Sequence, residues 1–332
     1  MGDKLRVGLI GTGRIGLVHA ISINENKDCE LTYVADVFID GAKKISEQFG
    51  GKITADPREL INSGEVDAIV IGSPTPTHLE LLDAAIDAGV HALCEKPIDL
   101  DIQKVDAMLP KATEAKINIS LGFNRRFDPN FEAIHNRVKA GELGTLEQLI
   151  ISSRDPGPAP REYIAVSGGI FRDMTIHDFD MARYFVPEIV EVTARGANTF
   201  CDYIKDENDY DSVNVIMRGS NDELITIINS RHAAYGYDQR LEAFGEKGML
   251  VASNLAKTTV RSYTANHTEQ RDPYMEFFLE RYAISYRREL ALFVESVQTG
   301  KQLNPSYQDG REALFLAEAA LESAKTGKTV SL

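Results

Sequence analysis

The 332-residue chain contains no tryptophan and only three cysteines. Cys29, Cys94 and Cys201 are scattered and form no Cys-x-x-Cys pair, so neither a disulfide framework nor a zinc site is expected. No apolar run approaches the roughly 18 residues that a membrane span requires. Positive charge is in deficit, with 36 Lys and Arg against 50 Asp and Glu, a net −14. Half of that deficit falls on residues 1–122, so neither half of the chain is a basic domain and no nucleic-acid partner is expected. A strand-like run begins at Leu5 with no signal peptide ahead of it. Gly2 follows Met1, but Arg6 stands where a myristoylation signal carries Ser or Thr. A reducing, cytoplasmic setting is the expectation.

What the chain does have is alternation. Leu5–Ile10, Leu31–Ala35, Ala68–Ile71, Ala92–Cys94 and Ile117–Leu121 are apolar nearly throughout, as strands buried on both faces should be. Helical spacing separates them at Ile39–Phe49 and Leu79–Ala88, and Asp56-Pro57 reads as a helix cap followed by proline at the first helical position. Such alternation predicts an α/β fold, an N-terminal Rossmann domain with a doubly wound parallel sheet over residues 1–122. Residues 123–332 have another rhythm. Helices are expected at Asn130–Ala140 and Thr175–Phe185. Strands are expected at Leu146–Ser152, Val190–Asn198, Ser212–Met217, Leu224–Asn229, Gln239–Phe244 and Met249–Ala252, several joined by hairpin-like turns. This predicts an α+β domain with a large, mainly antiparallel sheet, for substrate binding and oligomerisation. Helices at Phe277–Thr299 and Gly310–Thr326 close the chain, the last expected to pack back on the first domain.

Gly11-Thr12-Gly13-Arg14-Ile15-Gly16 lies between the first strand and the first helix. Gly11 suits a tight turn, Gly13 a close approach of backbone to pyrophosphate, and Gly16 the packing of helix on strand. The helix N-terminus then faces the phosphates with free N–H groups. Asp36, 20 residues beyond Gly16, is placed to accept from ribose hydroxyls and to repel a 2′-phosphate, and Val37 offers that phosphate no charge. NAD is the expected cofactor.

Ligands in such sheets bind beyond the carboxyl ends of the strands. There Ser73, Pro74, Thr75 and His78 are expected to line the cofactor, His78 as a helix-start residue and not a catalyst. Glu95-Lys96-Pro97 follows the fifth strand, which would hold the Lys96 ammonium over the nicotinamide end. In the run Gly168–Asp178, Asp173 and His177 are four apart, on one face of a helix. A carboxylate there can fix the imidazole tautomer and raise its basicity, as a general base acting on an alcohol requires; the plainer alternative is a capping aspartate and a core histidine. No third ligand stands at a metal-binding spacing, so no metal is expected.

Together Gly11–Gly16, Glu95-Lys96-Pro97 and Gly168–His177 resemble the glucose–fructose oxidoreductase and inositol dehydrogenase family (Gfo/Idh/MocA), over nearly the whole chain. Two further runs, Gly122–Asp128 and Tyr235–Glu242, resemble its bacterial inositol 2-dehydrogenases. The resemblance implies Lys96, Asp173 and His177 as catalytic residues. It also implies Asn124, Arg125 and Tyr237 as substrate contacts, and a homotetramer built on the outer face of the antiparallel sheet. The activity implied is NAD-dependent oxidation of myo-inositol in inositol catabolism. The alternatives are a scyllo-inositol or sugar dehydrogenase of the same family, or an NAD-binding regulator without turnover. On composition alone, Arg125 and Arg126 are equally readable as surface charges, and Tyr235 and Tyr237 as same-face strand aromatics.

Overall fold

The computed structural model describes residues 4–332. Met1–Asp3, and with them the reading that rests on Gly2, lie outside the described residues. The chain divides into two compact units, one reaching to Phe127 and including Ile284–Leu314, the other comprising Asp128–Ala283 and Phe315–Leu332.

In the first unit six parallel strands, β1 (Leu5–Ile10), β2 (Cys29–Ala35), β3 (Lys52–Thr54), β4 (Ala68–Ile71), β5 (His91–Glu95) and β6 (Ile119–Gly122), form a sheet of order 3-2-1-4-5-6. That is the Rossmann order, which places ligand sites outside the carboxyl ends of β1 and β4. β4 is buried at all four positions and β1 at five of six, because crossover helices cover both faces. Val7, Leu9, Val34 and Val70 form one core with Leu290, Phe293 and Val294 of the helix Ala283–Thr299. The helix Ile102–Glu114 carries Pro110 in its interior.

The second unit is built on a seven-stranded sheet. Its strands β7 (Leu146–Arg154), β8 (Ile189–Ala197), β9 (Ser212–Gly219), β10 (Leu224–Ser230), β11 (Asp238–Gly245), β12 (Gly248–Ala252) and β15 (Val330–Ser331) run in the order 12-11-7-10-9-8-15. Two-residue strands β13 (Arg261–Ser262) and β14 (Gln270–Arg271) pair separately. Only β7 with β10 is parallel, so the sheet is mixed but mainly antiparallel, as expected. Burial alternates along β9, with Val213, Val215 and Met217 on the covered face.

Outside the candidate site, two expectations about local structure fail. The helix expected from Phe277 to Thr299 is two helices, Phe278–Arg281 and Ala283–Thr299. The break at Tyr282 follows Arg281, whose guanidinium is buried against the Asp128 carboxylate and over the Phe131 ring. Tyr235 and Tyr237 do not share a strand face. They flank Gly236 (φ 108°) in a turn ahead of β11, Tyr235 exposed and Tyr237 buried, and a side chain at Gly236 would strike the Tyr274 and Met275 carbonyls.

Candidate active site

The glycine turn separates into three physical roles. Gly11 has φ 91°, and a Cβ there would lie 2.5 Å from the Ser73 nitrogen. A Cβ on Gly16 would lie 2.1 Å from the Gly11 oxygen, where the helix Arg14–Glu25 packs on its own turn. Gly13 is different: nothing lies within 4 Å of its would-be Cβ. The fold does not need that glycine, but a phosphate approaching the backbone would. Asp36 is already oriented. Its Oδ2 accepts from the Thr12 N–H at 2.7 Å and the Thr12 hydroxyl at 2.6 Å, and its Oδ1 from the Phe38 N–H at 2.8 Å. Gly41 allows this, since a Cβ there would strike Thr12 Oγ1 at 2.2 Å. Val37 and Phe38, 74% and 80% exposed, leave apolar surface beside the carboxylate, which suits an adenine ring. These residues fit a dinucleotide.

Around β5 the loops are fastened by two buried histidines. His78 has Nδ1 2.8 Å from the Pro97 carbonyl and Nε2 2.8 Å from the Ser73 carbonyl, so its ring braces the Ser73–Thr77 loop against the segment after Lys96. Burial pushes its pKa below the usual histidine value. His19 Nε2 donates to Glu95 Oε1 at 2.7 Å, which fixes that carboxylate at the end of β5. Lys96 is partly exposed between the buried Glu95 and Pro97. Asn124 and Arg125 are both buried, and Arg126 is a buried partner of Asp309 at 3.1 Å. The surface-charge reading of the two arginines is thereby overturned: burial demands a counter-charge, and Asp309 supplies it to Arg126.

In the second unit, Asp173 lies in a π-helical turn, Phe171–Thr175, and His177 in the first turn of the helix Ile176–Phe185. The expected single α-helical face is therefore replaced by a π–α junction, a form that recurs at functional sites. Asp173 Oδ1 accepts from the Tyr163 hydroxyl at 2.8 Å, and Oδ2 from Arg231 at 3.2 Å. Burial and the adjacent Asp173 push the Tyr163 pKa well up, so its hydroxyl stays a donor. Asp178, next to His177, is buried and accepts from Ser153 at 2.7 Å and Asn229 at 2.8 Å. Tyr237 is fixed through its backbone, its carbonyl accepting from Asn254 at 2.6 Å. Among the described residues no three His, Cys, Asp or Glu side chains cluster as metal ligands would, and no helix is long and apolar enough to cross a membrane.

A model of the oxidoreductase family with an NAD-binding Rossmann fold matches residues 5–123, and a model of the GFO/IDH/MocA C-terminal domain matches residues 131–251. The chain belongs to the GFO/IDH/MocA oxidoreductase family. Inositol 2-dehydrogenase of Rhizobium meliloti is 42% identical over 330 residues, 99% of either chain. Myo-inositol 2-dehydrogenase of Thermotoga maritima is 43% identical, over 99% of this chain and 98% of the relative. The crystal structure of a myo-inositol dehydrogenase from Corynebacterium glutamicum superposes with a TM-score of 0.96 at 56% identity, covering 99% of each chain.

Sequence reasoning about this GFO/IDH/MocA protein misses Tyr163, Arg231 and His19. Tyr163 and Arg231 lie 10 and 58 positions from Asp173, and His19 lies 76 from Glu95, with no spacing signal at those distances. Its cofactor selectivity has a direct test. Asp36→Ser combined with Val37→Arg removes the carboxylate and adds a phosphate partner, so NADP should then compete with NAD. Competition binding of the two nucleotides measures it, and a wild-type preference for NADP would contradict the role of Asp36.

Proposed function

We propose that this protein oxidises a ring hydroxyl of a cyclic polyol with NAD, and that myo-inositol, yielding 2-keto-myo-inositol, is the substrate. The observation that carries the reading is the hydrogen-bonded constellation around Asp173, four residues ahead of His177, in a chain matched end to end by inositol 2-dehydrogenases. Gly11, Thr12, Gly13, Arg14, Ile15, Gly16 and Asp36 hold the dinucleotide. Ser73, Pro74, Thr75, His78, Glu95 and Lys96 line it, His78 by bracing the loop. Neutral His177, oriented by Asp173, accepts the hydroxyl proton. The Lys96 ammonium stabilises the negative charge that builds on the same oxygen. When bound, the nicotinamide supplies the acceptor for the hydride leaving the ring carbon. Asn124, Arg125 and Tyr237 hold the remaining hydroxyls; Asn124 is buried, and its Nδ2 has no hydrogen-bond partner among the described residues. The test is NADH absorbance with myo-inositol, scyllo-inositol and a panel of sugars. NAD binding without NADH from any of them would instead mark a regulator.

We also infer a cytoplasmic homotetramer serving inositol catabolism. Ile216, Leu224, Phe244, Met249 and Val251 are exposed on strands of the seven-stranded sheet, apolar area that a partner copy would cover. Light scattering at micromolar concentration should give a multiple of 36.7 kDa, and the monomer mass would refute it. The three free, buried cysteines agree with a reducing compartment, and recovery in a secreted fraction would count against it.

A further inference from the structure

Arg231 follows β10 and its side chain is 2% exposed. Its two terminal nitrogens go to different carboxylates, one to Asp173 at 3.2 Å and the other to Asp209 at 3.3 Å. Asp209 is buried too, and its Oδ1 accepts from the Ile170 N–H at 2.8 Å, just ahead of the π-turn. A Cβ on Gly169 would lie 2.9 Å from that oxygen, so the turn and Asp209 are packed as one piece. One buried positive charge therefore serves two carboxylates, the partly buried Asp173 and the buried Asp209.

A neutral hydrogen-bond donor would suffice to hold Asp173 in place, and Tyr163 already supplies one. A guanidinium does more, because it withdraws negative charge from whatever Asp173 faces. We propose that Arg231 is a positioning residue that divides its charge between Asp173 and Asp209, and thereby sets how much negative charge Asp173 presents to His177. This rests on Asp173 being the partner of His177, as proposed above. A fully compensated Asp173 would do little for the basicity of the imidazole. An uncompensated one would keep it protonated, and a protonated imidazole cannot accept the hydroxyl proton. Shared compensation sits between these limits.

The other charges nearby are accounted for. Asp155 adds to the negative field on Arg231 and Tyr163. Arg172, next to Asp173 in the chain, is taken up by Glu318, and Asp178 by Ser153 and Asn229. Burial works against the Arg231 charge, but Asp173, Asp209 and Asp155 outweigh it and raise its pKa, so the guanidinium is a permanent cation.

The test reads His177 directly, as the NMR titration of its Cε1–H resonance in the full-length protein, assigned by its loss in His177→Ala. In Asp209→Asn, Arg231 is left to Asp173 alone, and the His177 midpoint should fall. In Arg231→Met it should rise, by about one pH unit, the lower end of what an adjacent charge commonly does. Should Arg231→Met not fold, the double variant Arg231→Met with Asp209→Asn removes the second negative charge and should still raise the midpoint. Shifts of opposite sign are not expected from a purely structural role. An unchanged midpoint in Asp209→Asn and in the folded arginine variant overturns the proposal. The acid limb of kcat/KM with myo-inositol separates this from the functional reading. If the NMR midpoint moves both ways while the rate limb stays, Arg231 acts as proposed and His177 is not the base.

Discussion

His177→Ala should lower kcat for polyol oxidation by about 10²–10⁴-fold, the usual worth of a positioned acid–base group. NAD affinity should stay within a few-fold, because the glycine turn and Asp36 are assigned the nucleotide and lie far from His177 in the chain. The wild-type rate should fall as pH drops, since the base works only when neutral. The plainer reading, His177 as a core residue, expects activity, NAD binding and thermal stability to fall together. Measuring NAD affinity and kcat on one preparation separates the two. A variant that binds NAD and turns over at near the wild-type rate would end this mechanism.

Lys96→Met should be almost as severe, with kcat down by about 10²–10³-fold, the range for removing one preorganised donor from a developing oxyanion. Methionine keeps much of the side-chain length, and β5 with the His78 brace keeps the backbone, so folding should survive. The lost charge matters more as the oxygen becomes negative, so kcat should fall while KM changes little. A large rise in KM at constant kcat would make Lys96 a ground-state substrate contact and not a stabiliser of the reacting oxygen.

How far the sequence carried these conclusions depended on the range of the interactions. β1, β2, β4 and β5 were legible because strands buried on both faces are apolar at nearly every position. β3 has three residues with two of them exposed, and β15 has two, too few for any pattern. The helix Ile102–Glu114 hides behind Pro110, a residue that normally argues against a helix interior. The break at Tyr282 follows Arg281, whose partner Asp128 is 153 positions away. The candidate site divides the same way. The glycine turn, Asp36, Glu95-Lys96-Pro97 and the Asp173–His177 spacing are local and readable. The side chains that hold them, His19 and Tyr163 on helices and Arg231 at the end of β10, are brought in by tertiary packing. Arg231 in particular reads as an ordinary charged residue at a strand end.

The three glycines of the phosphate turn answer to different masters. Gly11 and Gly16 are required by the folded chain itself, through a positive φ and a 2.1 Å approach, whereas the open space at Gly13 answers only to the molecule it receives. A descendant that gave up its cofactor would be free to drift at position 13 while natural selection for foldability still policed 11 and 16. Reading that one position across a lineage would then date the loss of nucleotide binding separately from any loss of the fold.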